Sequence, residues 1–191
     1  MADAGQVKQE QELDAEALAR KRLALAQIRQ YPDPALRMQA REVESFDDDL
    51  ARLAKRMQGL MRDAQGVGLA ATQVGILRRL FVFQPSDEED AQTLVNPQIV
   101  SRGDEVESDD EGCLSLQRVL VPVKRHLEVT LEARNERGEP VRLELEGLGA
   151  RVAQHEVDHL DGILILERTD SENRREALGI LRAGLSLNGG Y

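Results

Sequence analysis

His155-Glu156-Val157-Asp158-His159 holds two of the chain's three histidines, four residues apart, with a carboxylate beside the first. Positions i and i+4 of an α-helix share a face, so on a helix both imidazoles reach one ion while Glu156 lies next to them. The spacing predicts a helix from Leu148 to about Leu160. It also predicts a divalent metal that activates water, with Glu156 as general base. Such a site needs a third protein ligand and a position left open for water. His126 lies upstream; Glu167, Asp170 and Glu172 lie downstream. Cys113 is the remaining candidate, in Glu111-Gly112-Cys113-Leu114-Ser115, after a glycine that lets the backbone approach an ion closely. Spacing alone leaves the third ligand open.

Outward from this segment, hydrophobic periodicity sketches the rest. Asp47–Asp49 offers an N-cap and favourable charge at the positive end of a helix. In that helix Leu50, Leu53, Met57, Leu60, Met61 and Ala64 share one face, and Gly66 is the expected stop. Leu80–Phe83 and Leu94–Val100 read as strands. Leu127–Ala133 and Pro140–Leu145 read as a β-hairpin turning at Asn135-Glu136-Arg137-Gly138. Ser171 to about Ala183, rich in good helix formers, reads as a final helix. Tyr31-Pro32-Asp33-Pro34 is excluded from a helix interior, because each proline drives the residue before it toward an extended conformation. Strands and helices without regular βαβ alternation predict an α+β class, with small antiparallel or mixed sheets around the central His-Glu-x-x-His helix and a C-terminal helix.

Composition narrows the function classes. The 191 residues, 41% of them hydrophobic, suffice for one core and one domain. A single cysteine excludes a disulfide framework and a zinc site built from several thiolates. No apolar run approaches the roughly 18 residues that span a bilayer, and Met1–Glu16 lacks the basic and apolar regions of a signal peptide. A net charge of −10 argues against nucleic acid as a direct ligand. The expectation is a cytoplasmic protein without membrane attachment: an acidic extension over residues 1–21, with a short helix near Asp14–Leu23, then one catalytic domain over 22–191. Between Phe83 and Glu111 ten acids face one base, Arg102. That run reads as solvated loops, with repulsion of anionic substrates near the metal as a corollary; Glu111 stands apart.

A third segment is Gly66-Val67-Gly68-Leu69-Ala70-Ala71-Thr72-Gln73-Val74-Gly75. No Gly-Lys-Ser/Thr follows, so it is not a phosphate loop, and alone it signals a turn. Taken in order, however, the three segments resemble the signature motifs of the peptide deformylases. Gly66–Gln73 matches Gly-x-Gly-Leu-Ala-Ala-x-Gln, Glu111–Ser115 matches Glu-Gly-Cys-Leu-Ser, and Gln154–Gly162 matches Gln-His-Glu-x-Asp-His-Leu-x-Gly. Tyr31–Pro34 with Leu36-Arg37, and Asn96-Pro97, support the match. The resemblance runs from about Leu25 to Leu181 and leaves the acidic N-terminus outside.

The resemblance implies a role for each residue. Cys113, His155 and His159 would hold one divalent metal ion, with ferrous iron as the native ion and Zn2+ or Ni2+ able to occupy the site. The implied reaction removes the formyl group from the N-terminal methionine of new polypeptides. Metal-bound hydroxide would attack the formyl carbon, with Glu156 as general base and then general acid. The Gln73 side-chain amide and the Leu114 backbone N–H would meet the oxyanion. Val67, Gly68, Leu148 and Val152 fall where the family lines its methionine pocket, and Arg118 is placed to hold the peptide. Glu111 is expected to pair with a basic residue behind the ligands, and Ser115 to be structural. Partners are then N-formylmethionyl nascent peptides and, through them, transient ribosome association.

Two departures stand out. Leu116-Gln117-Arg118 replaces the proline and glycine common after Cys-Leu-Ser, which reads as a shortened rim. Arg151 stands on the ligand-bearing helix, to face solvent or to pair with the acidic run. The rival readings are a zinc peptidase, with a third ligand other than Cys113, and a binding module that keeps the fold without catalysis. The presence of Glu156, Gln73 and all three ligands disfavours the second rival.

Overall fold

The computed structural model describes residues 4–86 and 90–188, with side chains over 14–86 and 90–184. In chain order it runs α1 (Ala4–Leu25), a 3-10 turn at Pro34–Arg37, α2 (Asp48–Asp63), β1 (Gly68–Ala70), a second 3-10 turn at Ala71–Val74, β2 (Leu80–Phe83) and β3 (Gln92–Arg102). There follow β4 (Val106–Cys113), β5 (Leu116–His126), β6 (Glu128–Arg134), β7 (Pro140–Glu146), α3 (Gly147–Leu160), α4 (Ile165–Arg168) and α5 (Ser171–Asn188). One antiparallel sheet has the order β1-β2-β3-β6-β7, and β4 with β5 forms a separate hairpin. The α+β expectation is met. No helix among the described residues is long and apolar enough to cross a membrane.

Strand alternation explains where α3 sits. Successive side chains of β2 point to opposite faces. Leu80 and Val82 join Leu50, Met57 and Met61 of α2 in one buried cluster. Phe81 and Phe83 join Leu131 of β6 and Val152, Ala153 and Leu160 of α3 in another. The sheet is thus covered by α2 on one face and α3 on the other. Each fully buried side chain of this kind contributes about 1.5–3 kcal/mol, which fixes α3 as a rigid platform. A third cluster packs Val119, Val121 and Val123 of β5 against Leu164, Ile165 and Leu166 and against Ala177 of α5.

Local signals set most of the ends. Asp47 caps α2, its side chain accepting from the Leu50 N–H at 2.9 Å. The helix ends at Asp63, and the left-handed residue that closes it comes one position before the expected glycine. Gln65 takes the left-handed conformation at φ 58°, with Gln65 N–H donating to Arg62 O and Gly66 N–H to Met61 O. This pair of bonds is a Schellman ending, which asparagine or glycine usually supplies; here glutamine does. The 135–138 turn joins β6 to β7 as expected, with the pairing running from Arg134↔Pro140 to Glu128↔Glu146.

Two expectations change. The N-terminal helix is longer than Asp14–Leu23: α1 crosses position 21 without a break, and Ala24 is buried in the α2 cluster. The acidic run is not all loop. Residues 87–89 lie outside the described residues, but Val106–Cys113 is strand β4, paired in register with β5. Its side chains are solvated up to Asp110, so no apolar alternation marks it as a strand. Glu111 alone of its acids is buried.

Candidate metal centre and active site

Helix pitch places His155 and His159 on one face of α3, with ring centroids 4.9 Å apart. The hairpin brings the third donor. β4 ends at Cys113, the chain turns through Leu114 and Ser115, and β5 begins at Leu116, which pairs with Cys113. Cys113 Sγ lies 3.2 Å from His159 Nε2, and donor atoms of Cys113, His155 and His159 all fall within 4.8 Å of one another. The alternative third ligands are elsewhere. His126 Nδ1 bonds to Gly103 O at 2.7 Å. Glu167 pairs with Arg37 at 2.7 Å, and Asp170 accepts from the Glu172 and Asn173 amides in the first turn of α5.

The hydrogen bonds behind the triad fix its protonation. Glu111 Oε2 lies 2.9 Å from His155 Nδ1. Burial alone would push the Glu111 carboxyl up, but hydrogen bonds from His155 and Arg125 outweigh it and hold its pKa at about 2. An ionised carboxylate only accepts, so Nδ1 carries the proton and Nε2 is turned to the sulfur side. Burial also opposes charge on His155. Hydrogen bonds to Cys113 and Glu111 nevertheless raise its pKa well above the ordinary value. His159 is held well below its ordinary value by burial and by His155, which keeps it neutral.

One cysteine sulfur and two imidazole nitrogens, all within 4.8 Å of one another, fit a single divalent metal ion. The donor set suits zinc as well as ferrous iron.

Two residues not singled out as functional candidates in the sequence hold this arrangement to the fold. Arg125 is buried on β5. Its Nε donates to Glu111 Oε1 at 2.9 Å, Nη2 to Glu111 Oε2 at 3.1 Å, and Nη1 to Asp158 Oδ2 at 2.6 Å. Arg168 also binds Asp158, through Nε at 2.9 Å and through Nη2. The hairpin is thereby tied to α3 through buried charges. Arg151 resolves toward pairing: its Nη1 donates to Glu111 Oε1 at 2.9 Å and Val123 O at 3.0 Å, and Nη2 to Glu107 O at 3.2 Å. The Val119-x-Val121-x-Val123 alternation ending at Arg125 is the one sequence signal that leads to this arginine.

Glu156 follows the first ligand and is only 3% exposed. Its Oε2 is buried with no hydrogen-bond partner. Burial raises its pKa to about 7, against the neighbouring His155, which lowers it. A carboxyl poised near neutrality can take a proton and give it back. Gln73 stands in the 3-10 turn after β1. Its Oε1 accepts from the Ala70 N–H at 2.8 Å, so its amino group is turned the other way, to Ser115 Oγ at 3.2 Å and Cys113 Sγ at 3.6 Å. Ser115 is fully buried and its carbonyl accepts from the Tyr31 N–H at 2.9 Å, a structural position. The Leu114 carbonyl accepts from Gln30 Nε2 at 3.0 Å, which orients the peptides of the turn.

Cys113, His155, Glu156, Gln73 and Leu114 open onto one cavity of about 650 Å³, while His159 and Ser115 are buried behind its wall. Val67, Gly68, Arg118, Leu148 and Val152 line it together with Glu156, so every residue expected at the substrate pocket is on its wall. Arg118 is exposed, in β5 at φ 66°.

Comparison with known proteins agrees with this geometry. The family described as Polypeptide deformylase matches residues 25–175. Peptide deformylase 1 of Corynebacterium glutamicum is 41% identical over 168 residues, covering 87% of this chain and 99% of the relative. The peptide deformylase of Natranaerobius thermophilus is 43% identical over 154 residues, covering 81% and 98%. Among solved structures, a peptide deformylase from Legionella pneumophila superimposes with a TM-score of 0.80 at 37% identity, covering 86% of this chain and 97% of that one. Across a match this long, and with a site able to hold the metal, the chain belongs to the polypeptide deformylase family of metal-dependent, formyl-removing hydrolases.

Proposed function

We propose that this enzyme removes the formyl group from N-formylmethionyl peptides, with Cys113, His155 and His159 holding one divalent ion. Fe2+ is the proposed native ion, and Zn2+ or Ni2+ can replace it. When bound, the ion supplies Lewis acidity that makes water nucleophilic near neutral pH. The observation that carries the reading is Glu156: a buried carboxyl with a free oxygen, beside two histidines and a cysteine, at the wall of a cavity.

Glu156 takes the proton of the attacking water. As the formyl carbon becomes tetrahedral, the Gln73 amino group and the Leu114 N–H donate to the developing oxyanion; such donors act by meeting charge that appears in the transition state. Glu156 then gives its proton to the leaving nitrogen, the C–N bond breaks, and formate and a free α-amine result. Ala70 and Ser115 keep the Gln73 amide from rotating. Val67, Gly68, Leu148 and Val152 receive the methionine side chain, and Arg118 holds the peptide. Residues 22–191 act as one catalytic domain. The substrate class makes the reaction cytoplasmic and cotranslational, with transient contact at the ribosome.

The test is to load the enzyme anaerobically with ferrous iron and compare formyl-Met peptides with their free-amine counterparts. Formate release is expected from the former. It should fall by about 10²–10⁴-fold in Glu156→Ala while metal stays bound. Peptide-bond cleavage without formate release would overturn the reading.

A further inference from the structure

Residues 4–24 of α1 lie upstream of the family match, which begins at residue 25. The helix nevertheless reaches the catalytic cavity, where Lys21 lines the wall beside Gln65, Gly66 and Val67. Lys21 Nζ donates to Gln65 Oε1 at 2.8 Å. The Gln65 backbone is held in the left-handed position of the turn that ends α2, which presents its side chain toward α1. Ala24, one turn further along α1, is buried against α2 and anchors the helix. The ammonium is therefore positioned by a neutral amide that does not cancel its charge, and no carboxylate pairs with it among the described residues.

The other charges on the cavity wall are Asp110, Glu111, Arg118, Arg151 and the buried Glu156. Glu111 is committed to Arg125 and Arg151. Asp110 and Arg118 have no side-chain ion pair among the described residues, so Lys21 leaves the cavity rim with one more free cation than free anion. Of the acidic run only Asp110 and Glu111 line the cavity; Glu111 is neutralised by its arginines, and a positive group comes from upstream of the family match.

We propose that Lys21 is a specificity-determining residue: α1 sets its ammonium at the rim of the cavity, where it binds an acidic side chain among the residues that follow formyl-methionine in the peptide. The inference rests on the deformylase reading above. A partly exposed charge pair is worth about 0.2–1 kcal/mol, or up to about fivefold in kcat/KM. It acts through binding and encounter and is screened by salt.

The test uses the metal-loaded full chain and formyl-Met peptides carrying Glu, Gln or Lys at the second, third or fourth position, followed by formate release. At low salt the wild type should prefer Glu over Gln by about two- to fivefold at one of these positions, through KM, and lose the preference at high salt. Lys21→Gln should abolish it, Lys21→Glu should shift it toward the Lys peptide, and Lys21→Arg should restore it. A Glu-to-Gln ratio that is the same in wild type and Lys21→Gln at every position overturns the proposal. So does a wild-type preference against Glu, or a Lys21→Gln loss equal for all three peptide sets, which would mark a structural role. If the wild type releases no formate from the Gln peptides, the deformylase reading fails; release with an unchanged ratio defeats this inference alone.

Discussion

α3 and the β4–β5 hairpin deliver side chains to the same point by different logic. In α3 the spacing of His155 and His159 follows from the pitch of the helix, and any helical segment with that spacing presents both imidazoles together. In the hairpin, Cys113 and Glu111 reach the site only through pairing register. Glu111 opposes Val121, Gly112 opposes Leu120, and after an irregularity Cys113 opposes Leu116. A slip of one residue would turn every side chain of β4 to the other face. The helix encodes its half of the site locally, and the hairpin encodes its half through contacts far along the chain. A site assembled from both combines a rigid pair of ligands with a third that depends on packing.

The comparison is broken most directly at Cys113. Cys113→Ser should weaken metal affinity by more than the about 10- to 100-fold typical of losing a ligand's hydrogen-bonding partner, and formate release should fall with it. Unchanged metal content by elemental analysis would mean the helix suffices. Next comes Arg125, the buried tie between the two regions. Arg125→Met leaves Glu111 and Asp158 without this partner, and should cost about 3–5 kcal/mol of stability in denaturant titration. A cost below about 1 kcal/mol would show that apolar packing alone seats the hairpin.

Glu111 sharpens the comparison through pH. Its folded pKa of about 2 lies below the ordinary 4.5. The ionised group therefore stabilises the fold above pH 4.5, and that contribution is lost as pH falls through 2. Glu111→Gln should flatten this acid limb of the stability profile; a limb of unchanged steepness would assign it to other carboxylates. The smallest effect is at a locally encoded feature outside the site. Asp47→Ala removes the α2 cap and should cost about 1 kcal/mol with no change in metal content, read by thermal unfolding and elemental analysis.

The same division explains what the sequence made legible. The α2 and α3 helices, the β6–β7 hairpin and the His-Glu-x-x-His pair all carry periodicities or caps that act over a few residues, and the structure agrees with them closely. β4 carries no such signal, because it buries almost nothing: its acids stay in water while its backbone pairs. β5 does alternate at Val119, Val121 and Val123, which puts Arg125 on the inward face, but its carboxylate partners lie 14 and 33 residues away and leave no local mark. Glu111 was separable from its acidic neighbours only by the motif that contains it. The orientation of Gln73 depends on Ala70 and Ser115, the latter 42 residues away. Lys21 falls inside the expected Asp14–Leu23 helix, but its place at the cavity depends on that helix docking on α2 through Ala24, which a polar segment does not signal locally.

Gly68 is in strand β1, in an ordinary extended conformation, so it is not required for backbone freedom. Its missing side chain is what matters: a Cβ there would overlap Glu156 Oε1 and crowd Val152 Cγ1. The carboxylate lives in the space that the glycine vacates. A single added methyl group, in Gly68→Ala, thus pushes the proton carrier out of place while leaving every metal donor and the hairpin untouched. The consequence is practical: this position offers a way to make a folded, metal-loaded protein whose proton carrier is displaced, and because Gly68 also lines the pocket the variant changes peptide binding and proton transfer together.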